Sequence, residues 1–410
     1  SLHDALPISG IGVGVTLLYM NNKYKVYEEE EPKQIKKHVD TISMMLETEA
    51  GSGNYEMTTA SSWPTEGYVF NSELSVCENG GELSWDDENK RVLMSGNVSD
   101  KCYVYFDIKP QVLLADYVKS LYTGTQGENS IYYHDANLTN GAGDNSYRYA
   151  GANPNNFVCF GTNTTPCPTD NLYRIIGVFG NQVKLIKYDY ATSALLGTDG
   201  DYKGTGTPNA SYYKGELTTI NTYYWNNSTI KNTWSESELN KTNLNTNFIT
   251  NIGTEWAAKI AETTWKVGGN TWANIGTQPA KTAYQNEIVS PVTTNSQDNA
   301  TEYKAKIGLM YASDYGFAAA PSAWTTNLYD YDGAAIKSAN WMYLGSAEWT
   351  ISRTADYSDY AFFVSVRGFV AGYDYNGVTN VLAVRPVFSL TSSVNYVSGS
   401  GTAADPISIN

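Results

Sequence analysis

The stretch VLAVRPVFSL, Val381 to Leu390, lies some twenty residues from the end of a chain otherwise crowded with Asn, Thr and Tyr. Its apolar residues read as a strand, and Pro386, lacking an N–H, marks a bulge or the limit of pairing. Three more runs of this kind precede it: KIGLMYASDYGFA, SANWMYLGSAEWTIS and YAFFVSVRGFV, beginning at Lys306, Ser338 and Tyr360. Further upstream, YRYAGANPNNFVCFG and NLYRIIGVFGNQVKLIKYDY read as three strands, with turns at Asn153-Pro154-Asn155 and Gly180-Asn181. Between the two groups lie two expected helices. NTWSESELNKTNLNTNF starts one, with Ser235 and Glu238 at capping-box spacing, and TEWAAKIAETTWKVGG gives the other, with Trp256 and Ile260 a turn apart. Strands of this type with two inserted helices make an α+β domain.

Composition narrows the class. A chain of 410 residues is long enough for two or three domains, each with its own core. Charged residues are only 17%, yet the formal charge is -15, which repels phosphate backbones and argues against nucleic acid as a partner. Gly, Asn, Thr and Tyr dominate and favour strands joined by turns, as expected of an extracytoplasmic, β-rich protein. Cys77 and Cys102 form one local pair and Cys159 and Cys167 another. With only three His and no CxxC spacing, zinc is not indicated, and two disulfides outside the cytoplasm are the simplest reading, buried free thiols being the alternative.

Four segments follow from this. Residues 1–31 read as a lead-in and a truncated membrane anchor, because ISGIGVGVTLLYM, Ile8 to Met20, is apolar but shorter than the roughly 17–25 residues that span a bilayer. A buried segment of a soluble domain is the alternative. Residues 32–125 hold a stalk helix, Pro32 to about Glu49 with Ile35, Val39, Ile42, Met45 and Leu46 on one face, and a small antiparallel meander from Gly67 to Ile108 that a Cys77–Cys102 bridge would staple. A short helix follows with Leu113, Leu114, Tyr117 and Leu121 on one side. Residues 126–146 read as a linker loop, and 147–410 as the α+β domain.

No catalytic constellation stands out. His134 beside Asp135 lacks a Ser or Cys motif nearby, and Glu255 and Glu262 flank the second helix seven residues apart and read as solvated. The expectation is a protein that is not an enzyme, with no cofactor and no metal. Two other readings are a pilin-like or envelope structural subunit and, more remotely, a carbohydrate-active enzyme using a pair among Asp356, Asp359 and Asp374.

From about Tyr147 to Asn410, the segments YRYAGANPNNFVCFG…CPTDNLYRIIGVFG, NTWSESELN, KIGLMYASDYGFA and VRPVFSL…GSGTAADPISI resemble an uncharacterised domain of gut bacterial surface proteins. The order of elements, with a V-R-P-V segment near the end, is also similar to the C-type lectin-like fold of formylglycine-generating-enzyme relatives and of the variable proteins of diversity-generating retroelements. The resemblance implies that the closing strand returns to the core beside the first strand, with Arg385 structural and ion-paired. It also implies that residues just before that strand contact a ligand: Trp341, Tyr343, Trp349, Arg353, Asp356, Tyr357, Asp359, Tyr360, Tyr373, Asp374, Tyr375 and Asn376. Tyr and Trp would give rigid contact area there, while Asp and Asn would give adaptable hydrogen bonds. The chain departs from both relatives: it has no Glu-Pro-Asn or Gln-Pro-Asp motif for calcium-dependent sugar binding, and no cysteine pair near its end for oxidase chemistry. The expected protein is thus a membrane-anchored, cell-surface binder of a protein or glycan, displaying a Tyr/Asp/Asn-rich, diversified surface. Its oligomeric state is not legible in the sequence.

Overall fold

In the computed structural model, which describes residues 42–96, 100–272, 277–291, 301–372 and 377–410, the alternating run CYVYFDI forms a strand, Cys102–Ile108, in the first of two units, Ser1–Gln111. Cys102, Val104 and Phe106 point inward along it, and Met44, Trp63 and Val92 complete the core around them. Ile42–Glu47 runs parallel to this strand on one side, with Tyr55–Met57 outside it. Tyr68–Phe70 and Val76–Cys77 pair antiparallel on the other side. Glu82–Asp86 and Arg91–Ser95 form a separate hairpin. The Cys77–Cys102 disulfide joins directly paired residues of two neighbouring strands.

This unit corrects the expected stalk helix. Ile42, Met45 and Leu46 lie on a strand, and the parallel pairing Ile42↔Cys102 through Leu46↔Phe106 makes the sheet mixed rather than an antiparallel meander. Residues 1–41, including the expected anchor at 8–20, lie outside the described residues. Among the described residues, no helix is long and apolar enough to cross a membrane.

The second unit, Val112–Asn410, begins earlier than expected. Helix Leu114–Ser120 buries Leu114, Ala115 and Val118 in its core, so these residues do not belong with the meander. Residues 126–146 are not a mere linker, because Ile131–Tyr133 is an edge strand of the unit's main sheet. That sheet is antiparallel and runs Ile307–Gly308, Val387–Ser389, Gln182–Lys187, Leu172–Phe179, Tyr147–Tyr149, Ile131–Tyr133, with Phe157–Cys159 also on Leu172–Phe179. Leu172–Phe179 is buried along nearly its whole length, as its continuous apolar run requires of a strand covered on both faces.

VLAVRPVFSL splits at the Arg-Pro step into two short strands, Val381–Leu382 and Val387–Ser389. The second is paired on both sides but lies next to the sheet's edge strand, between Gln182–Lys187 and Ile307–Gly308 and not beside the first strand as expected. Arg385 is buried and makes a two-pronged ion pair with Glu348, at 2.6 and 2.8 Å. Three segments differ locally from their sequence reading. KIGLMYASDYGFA holds only the two-residue strand Ile307–Gly308 and then a helix, Ala312–Ala318. The helix in TEWAAKIAETTWKVGG ends early, at Thr254–Ala258, and Thr263–Lys266 is a strand paired with Glu302–Ala305. At the start of helix Leu239–Phe248 the expected Ser235–Glu238 box is replaced: Ser237 Oγ accepts the Asn240 N–H at 3.1 Å, and Glu238 turns to Lys241 and Thr242.

Candidate functional site

Four of the residues expected on a ligand surface are buried in the second unit. Trp349 and Arg353 lie on strand Glu348–Arg353, where Trp349 Nε1 donates to the Tyr223 carbonyl at 2.9 Å and Arg353 Nε to that of Val267 at 2.7 Å. Each therefore holds strands and loops together instead of facing solvent. Trp341 and Tyr343 are also largely buried, donating to the carbonyls of Tyr149 (2.8 Å) and Val366 (2.7 Å), yet both edge onto a cleft described below. Asp356, Asp359 and Tyr360 are half-buried and Tyr357 is exposed. Tyr357 and Tyr360 stack with ring centroids 5.1 Å apart, Trp272 sits edge-on to Tyr357, and Asp356 Oδ1 accepts the Trp272 N–H. Tyr373, Asp374, Tyr375 and Asn376 lie outside the described residues. The expected surface is therefore divided between a cleft and an aromatic patch.

The cleft has a volume of about 300 Å³ and is built by loops from distant parts of the chain. Asn153 to Asn155 precede strand Phe157–Cys159, Tyr188 follows strand Gln182–Lys187, Trp341 and Tyr343 follow helix Ala334–Ser338, and Lys214 comes from an intervening loop. Arg174, the one charged residue of strand Leu172–Phe179, reaches its floor. The guanidinium lies over the rings of both Phe157, at 4.3 Å, and Trp341, at 4.7 Å. Its Nε donates to Asn156 Oδ1 (2.8 Å) and one terminal nitrogen to the Pro154 carbonyl (3.0 Å), which fix its plane. Lys214, exposed at the rim, holds its ammonium 4.8 Å from the Tyr343 ring centroid.

Charge makes this cleft unusual for so acidic a chain. No Asp or Glu lines it among the described residues, and neither Arg174 nor Lys214 has a carboxylate within ion-pair distance there. Burial disfavours the charge of Arg174, pulling it down to about 9, and burial together with nearby Lys337 lowers Lys214. Arg174 remains a cation at neutral pH. A buried cation without a counter-ion costs several kcal/mol, which cation–π contact offsets only in part.

A second cleft, of about 230 Å³, shows the contrast. There Asp314 pairs with Lys184 at 2.6 Å and Arg148 at 3.5 Å, and Asp144 pairs with Arg148 at 2.7 Å, so both cations are compensated. Glu287 stands behind, accepting from the Ser352 hydroxyl and the Ser313 N–H, and burial raises its pKa to about 7. His134 is also buried: its Nδ1 accepts the Ala142 N–H, while Asp135 accepts the Asn137 and Leu138 N–H groups, so the two are not a dyad. Both cysteine pairs are disulfides, Cys77–Cys102 and Cys159–Cys167. Asp100 lies near the first pair, but bonded sulfurs are not metal ligands, and its oxygens accept the N–H groups of Asn79 and Gly81.

Sequence reasoning named Trp341 and Tyr343 but missed Arg174, Phe157, Tyr188 and Lys214. The available signal was the lone charge in LYRIIGVF, since a cation in a doubly covered strand needs a purpose. Lys214 carries no such mark. Comparison of the chain with family models, with curated proteins and with solved structures returns no match.

Proposed function

We propose that the chain is a cell-surface recognition protein, not an enzyme, whose second unit binds a glycan or protein ligand in the cleft floored by Arg174 and edged by Trp341 and Tyr343. The observation that carries this reading is a loop-built, aromatic-walled cleft with two uncompensated cations and no carboxylate in a chain of formal charge -15. Loops on a rigid sheet are the usual site of recognition, and rigid aromatic walls with a few placed polar groups are the usual lining. Two disulfides support an extracellular compartment, with a membrane anchor in the segment 8–20. A C-type-lectin-like arrangement is the finer fold reading; the buried Arg385–Glu348 pair favours it, while the closing strand Val387–Ser389 pairs elsewhere than that reading implies.

Glycan and cell-surface-protein arrays probed with the whole chain test the reading. Tyr188→Ala and Lys214→Ala, both at the cleft rim, should cut specific binding at least tenfold while the thermal melt stays put. A Tyr357→Ala/Tyr360→Ala variant should keep it. Loss in the second variant alone would move recognition to the Tyr357 patch, and no specific binding to either array would defeat the proposal.

A further inference from the structure

The cleft also says what kind of ligand it takes. We infer that it selects a carboxylate-bearing sugar, whose anionic group completes the ion pairs that Arg174 and Lys214 lack; this rests on the reading of the cleft as a binding site.

The floor supplies the charge argument. Arg174 is held in one plane by Asn156, by the carbonyls of Pro154 and Trp341 and by two ring faces, and each terminal nitrogen, donating once within the chain, keeps a second N–H for a carboxylate. Among the described residues nothing acidic faces it from the lining, and Lys214 and Lys337 add positive charge on the loop side. The second cleft shows that this fold does compensate buried cations where a carboxylate is at hand. An anion from outside is the missing partner in the first.

The walls choose a sugar over a peptide. Peptide capture by strand addition or at a terminal carboxylate uses free backbone N–H groups. Four of those around this cleft are spent: Trp341 N–H on Gly151, Tyr343 N–H on Asn340, Lys214 N–H on Leu344 and Phe157 N–H on Gly401. What the walls offer is side chains. Half-buried Tyr188 and the rings of Trp341 and Tyr343 give apolar surface, and the exposed amides of Asn153 and Asn155 can donate to and accept from hydroxyls.

The test uses the whole chain and two matched pairs of probes: trigalacturonate with its carboxyl-reduced counterpart, and sialyllactose with lactose. Affinity is read by calorimetry and the Trp341 indole N–H by nuclear magnetic resonance. We expect at least one acidic probe to bind tenfold or more tightly than its neutral partner, to shift the Trp341 signal, and to weaken in high salt. Lys214→Gln should lose about fivefold for the acid and nothing for the neutral sugar. Arg174→Lys, which keeps the charge but not the planar fork, should lose more. Equal binding of acid and neutral sugar at Trp341 would overturn the acid preference and leave the cleft as a binding site. Failure of both acids at millimolar concentration would overturn the inference, with the arrays deciding separately whether the cleft binds anything. Displacement by an acidic peptide but by no sugar would overturn the sugar assignment.

Discussion

Glu287 is fully buried, and its protonation state is set by desolvation, opposed by hydrogen bonds from Ser352 and Ser313. Its folded pKa of about 7 lies above the ordinary value of 4.5, so the folded state binds this proton more tightly than the unfolded chain does. The stability it contributes is therefore present at low pH and is lost as pH rises from about 4.5 through 7. His134 has the opposite sign: burial lowers it well below 6.5, so its share of stability is lost as pH falls below that value. The two oppose one another in weakly acidic solution. Glu287→Gln removes one of them, and urea unfolding across pH should show the variant gaining on the parent by up to about 1.4 kcal/mol per pH unit between 4.5 and 7. A constant offset between the two proteins would mean that Glu287 is ionised throughout. Residues of this kind are poorly legible in sequence. Arg385 could be read as structural because it stands alone in an apolar strand, but its partner Glu348 is 37 positions away and nothing local marks it.

At the scale of elements, a wet face gives a period that decides the type, whereas an apolar run dry on both faces leaves strand and helix alike: Leu172–Phe179 is the strand it reads as, and Ala312–Ala318 is not. Cys102–Ile108 alternates buried and half-buried residues and was read as a strand at the right residues. Helix Ala312–Ala318 is buried at all seven positions, so it carries no helical period and was taken for a strand. Ile42, Met45 and Leu46 fit a helical spacing, but parallel pairing with Cys102–Ile108, a long-range contact, decides for strand. The cleft was missed for the same reason, because it is assembled from loops scattered along the chain from Ala152 to Ala403. One contact among them is exacting. Gly345 has φ +93°, and an added Cβ would run into the carbonyl of Tyr212, while the next carbonyl back, that of Leu344, accepts the Lys214 N–H at 2.8 Å. Gly345→Ala should therefore cost roughly 1–3 kcal/mol in strain and displace the loop that carries Lys214. Urea unfolding and trigalacturonate calorimetry should both register it. Gly333→Ala, at negative φ with open space around it, should change neither.

Across the whole molecule, the formal charge of -15 and the carboxylate-free cleft act on an acidic ligand with opposite signs and at different ranges. At about 0.01 M salt the screening length is roughly 30 Å, so an approaching anion feels the whole acidic surface before it feels Arg174 and Lys214. At about 0.15 M the length is roughly 8 Å, and the distant repulsion fades while the partly buried pair with Arg174 is screened far less. The association rate of trigalacturonate should therefore rise several-fold between those two concentrations, the reverse of a protein whose net charge steers its ligand inward. The dissociation rate should rise by more, because the contact with exposed Lys214 is open to salt, so that affinity still falls. Stopped-flow tryptophan fluorescence separates the two rates. An association rate that falls with salt would mean that the field at the cleft mouth is positive even at long range, so that the acidic surface does not gate access; an association rate indifferent to salt would remove electrostatics from the encounter altogether.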